Sequence, residues 1–282
     1  MDGLSIAALG NARLHTTVSL FTRPPYQIWR VARPCVVFSP QEQDAWIDRL
    51  IEVSSVIYAT DTSLYWNDRR DYFHHLDEFW VAEKDGRLIG WCGVCVWDHA
   101  SHRFLYIDTL NVVNEFRRQR LAALLMLEVW LRHAWANRRL LPLTFRTQSP
   151  TVYRLSEQLV PTGTYPALRP RGTHRDAGVA RSLARFTAER TSPGCQFEED
   201  SFIVRHAYGH ALFGDKPHAI HDAAVDHYFN ERMNLSAGDA TIIVTFPRYD
   251  SVIRALIAYT MMRLGFTTNP ARRLKRHQLP RI

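Results

Sequence analysis

Residues 88–97, Leu-Ile-Gly-Trp-Cys-Gly-Val-Cys-Val-Trp, carry no polar side chain. Read as a strand, Leu88, Cys92, Val94 and Val96 alternate with Ile89, Trp91, Cys95 and Trp97, so neither face is suited to water. Such a strand belongs at the centre of a sheet with a helical layer on each side. The flanking residues set its neighbours. Lys84-Asp85-Gly86-Arg87 carries an Asp-Gly hairpin signal, and Asp98–His102 is a short polar connection, so residues 78–113 predict a three-stranded antiparallel meander.

Helices are marked on either side of this meander. Ser39-Pro40-Gln41-Glu42 has the form of a capping box with proline at the first helical position. Trp46, Ile47, Leu50, Ile51 and Ile57 then follow at helical spacing, giving about four turns. A further helical stretch is expected near 63–76. Residues 115–136 predict a long buried helix with Leu121, Leu124, Leu125, Leu131 and Trp135 as its deepest stripe and Glu128 with Arg132 as an i,i+4 pair. A strand over 141–147 and a helix capped by Ser149-Pro150 complete the series. The fold class expected is α+β, layered α/β/α, with a mixed, mostly antiparallel sheet flanked by helices.

Beyond residue 161 the pattern weakens. Residues 161–195 are rich in Arg, Pro, Gly and Thr and read as a loop or partly helical insertion. After it a strand (201–209), a helix (219–233), a strand (240–246) and a helix (251–265) are expected, then a basic tail. The division expected is a core over 36–165 and an enlarged C-terminal region over 166–282 that completes the sheet and adds helices.

Composition narrows the chemistry. With 46% hydrophobic and 22% charged residues the chain reads as folded, and its net charge of +7 favours an anionic ligand or partner. Four cysteines are too few for a disulfide framework, and Cys92 and Cys95 lie three apart on a strand, where they point to opposite faces as buried thiols. His206, His210, His218, His221 and His227 lack the ordered spacing of a zinc site, so no metal is expected. No secretory leader or membrane-spanning run is recognised, which leads to a cytoplasmic expectation.

The chemistry is concentrated in Tyr106–Ala122. A strand runs into a turn carrying Arg117, Arg118 and Arg120, and that turn opens the long helix. Free N–H groups at a helix start, with the helix dipole and added arginines, suit a pyrophosphate. This segment resembles the GNAT superfamily of acyl-CoA-dependent N-acyltransferases. Its cofactor motif is a strand ending L-x-V, then R/Q-x-x-G-x-G/A at the helix start. Leu110 and Val112 match the strand end, Arg117 the leading basic residue and Ala122 the final small residue, while Arg120 stands where the family usually has glycine. The order of elements over about 36–160 also agrees with that family's core.

The resemblance implies a GNAT-like sheet, acetyl-CoA or another acyl-CoA as co-substrate, and an amine-bearing acceptor that attacks the thioester through a tetrahedral intermediate. It assigns cofactor contact to Leu110, Val112, Arg117, Arg118, Gln119, Arg120, Leu121 and Ala122, and an oxyanion donor to a backbone N–H near Val112. Ser156 occupies the place of the family's proton-donating tyrosine, and Tyr153, one turn earlier, is a substitute. The amine must lose a proton. Asp108 is the preferred base because alternation places it on the face of Leu110 and Val112; Glu83 and Asp98 are further candidates. The alternative reading is a catalytically silent scaffold that binds nucleic acid through its arginine-rich insertion and basic tail. A homodimer is left open.

Overall fold

A fully apolar strand needs cover on both faces, and the computed structural model shows how the chain provides it. The structure describes residues 26–117, 121–169, 176–208, 212 and 220–263. The strands are β1 (Gln27–Ala32), β2 (Glu78–Lys84), β3 (Arg87–His99), β4 (His102–Val112), β5 (Leu143–Thr147), β6 (Thr164–Tyr165), β7 (Phe197–Glu198), β8 (Ile203–Val204) and β9 (Ala240–Thr245). They form one sheet in the order β1-β2-β3-β4-β5-β9-β8-β7, with β6 also beside β9. All described pairings are antiparallel except β4 with β5.

The helices are α1 (Pro34–Val37), α2 (Pro40–Tyr58), α3 (Ser63–Asn67), α4 (Tyr72–His75), α5 (Leu121–Asn137), α6 (Pro150–Leu159), α7 (Ala177–Thr191), α8 (Ala223–His227) and α9 (Tyr249–Arg263). Trp46, Ile47 and Leu50 of α2 pack with Trp91 and Cys95 on one face of the sheet. Leu183 and Ala184 of α7 cover Phe104 and Ile242 farther along. The other face takes α5 and α6, with Leu125, Val129 and Trp130 against Cys92, Val94 and Ile107. Each such side chain contributes roughly 1.5–3 kcal/mol by burial. No helix among the described residues is long and apolar enough to cross a membrane.

Local signals translate directly where the chain is self-sufficient. Ser39 and Glu42 form the capping box in both directions. Asp85 and Gly86 both take positive φ, 52° and 73°, as a two-residue primed hairpin turn requires. Cys92 and Cys95 face opposite helical layers, and the Cys95 thiol donates to the His75 carbonyl at 3.1 Å.

Several expectations need correction. The stretch 63–76 splits into α3 and α4. Trp135 is 89% exposed, because buried positions on α5 end at His133 and its last turn projects past the core. Ser149 occupies the N-cap of α6 without a side-chain cap bond; its N–H instead donates to Thr147 Oγ1 at 2.9 Å. The arginine-rich insertion contains α7, fifteen residues long, whose buried face is Ala180, Leu183, Ala184, Thr187 and Ala188. The expected strand 201–209 shortens to β8, and the helix over 219–233 becomes α8 continued by a π-helical turn, Tyr228–Arg232. The sequence reading had not anticipated β1.

Two bulges change which way side chains point. Between Ala82↔Gly90 and Glu83↔Leu88 the register slips by one, which moves Leu88 to the α2 face and Ile89 to the α5 face. This exchanges the two residues relative to simple alternation. Between Gly93↔Thr109 and Val94↔Ile107 the extra residue is Asp108. A bulge puts two successive side chains on one face. Asp108 joins Thr109 and Asn111 toward α2–α4, and Leu110 and Val112 turn toward α5, so Asp108 does not share their face as alternation implied.

Gly93 sits opposite this bulge. A Cβ there would collide with the Tyr72 hydroxyl and lie 3.1 Å from Thr109 Oγ1. Tyr72 is held by Thr109 at 2.5 Å and by the rings of Trp66 and Phe73, so it has no room to withdraw. Gly93→Ala is expected to lose about 1–3 kcal/mol, read as a melting temperature several degrees lower; an unchanged value would show that the bulge tolerates a side chain.

Glu78 ties the sheet to α5. It accepts from Arg30 and from Trp80 Nε1 at 2.8 Å, and His133 Nε2 lies 3.4 Å away. Burial alone would raise its carboxyl, but His133 and Arg30 outweigh burial and bring it down to about 2 from an ordinary 4.5. A depressed carboxyl stabilises the fold above its unfolded value and loses that contribution as pH falls toward the folded one. Glu78→Gln is expected to be less stable than the native chain by on the order of 3 kcal/mol above pH ~5, with the gap in chemical denaturation closing as pH falls toward 2.

Candidate active site

The last rung between β4 and β5 is Ile107↔Phe145. Beyond it β4 runs five more residues toward Val112 and β5 two more toward Thr147 without pairing to each other. A cavity of about 970 Å³ occupies this opening. It is lined by β4 from Ile107 to Val112, by the start of α5, by β5 and α6, and on the opposite face by Tyr58, Tyr65 and Tyr208. The Val113 N–H is bonded to Ile89 on β3, so backbone alternation turns the N–H groups of Leu110 and Val112 away from β3 and toward the opening.

One end of the cavity meets the strand-to-helix turn. After β4 a 3₁₀ turn (Asn114–Phe116) leads to Arg117, whose Nη2 donates to the Ile57 carbonyl at 3.4 Å. Leu110, Val112, Arg117, Leu121 and Ala122 all line the cavity. Arg118, Gln119 and Arg120 lie outside the described residues. The residues present suit a pantetheine diphosphate: an apolar strand edge with free N–H groups, an arginine and the start of a long helix.

The other end is polar and aromatic. Both carboxylate oxygens of Asp108 accept from Arg69 Nη2 at 2.7 Å. Arg69 also donates to the Tyr65 hydroxyl and lies over the rings of Tyr65 and Tyr72, at 5.0 and 5.2 Å. Burial works against the Arg69 charge, and Asp108 more than restores it. Burial pushes the Tyr65 hydroxyl up to about 12 despite Arg69, and it raises Tyr58 further, with Tyr65 and Tyr208 adding to the effect. Both hydroxyls therefore keep their protons at neutral pH and act as donors, Tyr58 to Asn111 Oδ1 at 2.6 Å. Among the described lining residues Asp108 is the only carboxylate.

The remaining expected residues fall elsewhere. Tyr153, 1% exposed, donates from its hydroxyl to the Pro166 carbonyl at 2.9 Å, and Ser156, also 1% exposed, to the Val152 carbonyl at 3.0 Å. Their neighbours Val152, Leu155 and Leu159 form the cavity wall, so helical phase turns the two hydroxyls away from it. Glu83 is buried against Trp29, and Asp98 pairs with Arg103 on the surface. His206 Nδ1 meets the Ala237 carbonyl at 3.0 Å, while His210 and His218 lie outside the described residues.

Tyr58, Tyr65, Arg69, Arg146 and Tyr208 were not anticipated as site residues. Arg146 had one legible signal, a charge inside the otherwise uncharged strand LPLTFRT. The others are brought in from three separate segments, Tyr58, Tyr65 with Arg69, and Tyr208, with no shared motif.

Residues 43–149 match the model of the Acetyltransferase (GNAT) family. No curated protein matches the chain. Among solved structures it is similar to Escherichia coli ElaA, at 12% identity over 53% of this chain and 94% of that one, TM-score 0.38. Arabidopsis thaliana Naa50 in complex with a bisubstrate analogue is 12% identical over 72% and 93% of the two chains, TM-score 0.33. An aminoglycoside acetyltransferase from an uncultured soil metagenomic sample is 15% identical over 53% and 93%, TM-score 0.36. The family match spans the sheet opening and the turn that follows β4, so the segment that carries the sequence resemblance lies within the matched residues.

Proposed function

We propose that the chain is an N-acyltransferase that takes acetyl-CoA or another acyl-CoA at the α5/α6 side of the β4–β5 opening and an amine at the α2/α3 side. The observation that carries this reading is the cavity itself, which passes between two diverging parallel strands and joins a phosphate-suited helix start to a carboxylate. Bound acyl-CoA supplies an activated carbonyl. Leu110 and Val112 offer backbone N–H groups to the pantetheine arm and to the oxygen that gains charge as the amine adds. Arg117 and the N-terminus of α5 meet the diphosphate. Arg118, Gln119 and Arg120, outside the described residues, keep the cofactor contact that the family resemblance assigns them.

Asp108 is the lining carboxylate positioned to accept the amine's proton, directly or through water, and Arg69 fixes its orientation. Tyr58 and Tyr65 remain donors there. The Ser156 and Tyr153 hydroxyls donate to carbonyls outside the cavity, so this reading assigns the protonation of the thiolate to neither. Several of the insertion's described arginines are engaged within the chain. Arg169 is bound by Glu157 and Asp222, Arg185 by Glu199, and Arg190 lies over Trp97 at 5.0 Å.

Calorimetric titration with acetyl-CoA and with CoA tests the reading. Micromolar binding is expected, weakened roughly tenfold in Arg117→Ala; a folded protein that binds neither ligand overturns it. With an acceptor in hand, Asp108→Asn is expected to lower kcat/KM by about 10²–10⁴ while leaving acetyl-CoA affinity in place. Equal rates for the variant and the native chain would remove Asp108 from the proton path.

A further inference from the structure

Strand β5 places one unusual charge in the cavity wall, and its partners come from the C-terminal region. Arg146 stands on β5 one residue beyond the Ile107↔Phe145 rung, opposite the Asp108 bulge, and lines the opening. Its Nη1 donates to the Thr191 carbonyl, to Ser192 Oγ at 2.7 Å and to the Ala207 carbonyl at 3.4 Å. Tyr208 covers the guanidinium at 4.4 Å and donates its hydroxyl to the Arg146 carbonyl at 3.1 Å. Every one of these acceptors is neutral. Its Nε is buried without a hydrogen-bond partner.

Three other arginines in or beside the cavity wall are balanced. Arg69 has Asp108, Arg154 has Glu157 and Arg254 has Asp250. Arg117 stands on the exposed turn assigned to phosphate. Among the described residues no carboxylate pairs with Arg146. The C-terminus of α7, where Thr191 lies, offers about half a negative charge, which among the described residues leaves a positive surplus beside Arg146. A half-buried guanidinium with an uncompensated charge is costly alone and is satisfied by an anion that fits its planar fork.

Resting on the acyltransferase reading, we propose that Arg146 binds a carboxylate of the acceptor, so that the substrate is an amine-bearing acid of the amino-acid type rather than a polycationic amine. Across the opening Asp108 faces the amine and Arg146 the carboxylate, which matches the polarity of a zwitterion. The Tyr65 and Tyr208 rings, 6.3 Å apart, border the space where its side chain would lie.

The test uses the full chain after acetyl-CoA binding has been measured by calorimetry. Thiol release is followed with the L-amino acids, with the primary amide of each, and with an aminoglycoside as polycationic amine. An amide's less basic amine is the more reactive one at a given pH, so intrinsic chemistry favours the amide. The expected result is the reverse, a kcat/KM for at least one free acid roughly 10- to 100-fold above its amide. Arg146→Met and Arg146→Lys should bring that ratio toward one, mainly through KM for the acid. Acetylation of amides or the aminoglycoside as fast as, or faster than, the acids by a native chain that binds acetyl-CoA overturns the carboxylate assignment alone. A chain that does not bind acetyl-CoA overturns the acyltransferase reading and this inference with it.

Discussion

The parallel pairing of β4 with β5 lasts only three residues, and the site depends on its brevity. A parallel neighbour requires a crossover, which α5 supplies across one face of the sheet. Past the Ile107↔Phe145 rung the two strands separate, and the polar backbone of β4 that would have met β5 is left facing a cavity. Helices α5 and α6 close one side of that opening and α2 with α3 the other. The bulge at Asp108 lies at the mouth of the split, so its carboxylate enters from the face opposite to Leu110 and Val112. A single irregularity thus sends the apolar strand edge toward one end of the cavity and the acid toward the other.

The helical layers hold this arrangement in place through contacts that double as site geometry. Tyr72 packs among Trp66, Phe73 and Phe79 and reaches Thr109 beside the bulge, while Arg69, from the loop between α3 and α4, holds Asp108. The C-terminal region contributes in the same manner. β9 extends the sheet beside β5, Tyr208 lies over Arg146, and Gln148 accepts from the Leu212 N–H at 2.9 Å while donating to the Asp239 carbonyl. The wall of the polar, aromatic end of the cavity is therefore built from segments more than a hundred residues apart.

Much of the fold was legible because its signals are local. A capping box, an Asp-Gly turn and a strand apolar on both faces each act through residues a few positions apart, and each appears where its pattern predicts. Helix α7 was legible only as part of a loop or partly helical insertion, because its buried face is mostly alanine and threonine, whose weak hydrophobicity is masked by six arginines nearby. Strand β1 was missed because Gln27–Ala32 becomes a strand through its pairing with β2, which lies about fifty residues away. Trp135 kept the right helical phase but had nothing to pack against, since phase fixes direction and only the partner layer fixes burial.

The sequence by itself determined the central meander, the long helix after it and the basic strand-to-helix turn, and hence the family resemblance, because each is encoded in contiguous residues. Tertiary structure alone decided the faces around the two bulges, since a one-residue slip arises from pairing with a neighbouring strand and inverts all alternation beyond it. It also decided which hydroxyls reach the cavity, turning Tyr153 and Ser156 away and bringing Tyr58, Tyr65 and Tyr208 in. The pairing of Arg69 with Asp108 and the unbalanced charge of Arg146 depend on distances between elements far apart in the chain, and no local pattern of residues records those.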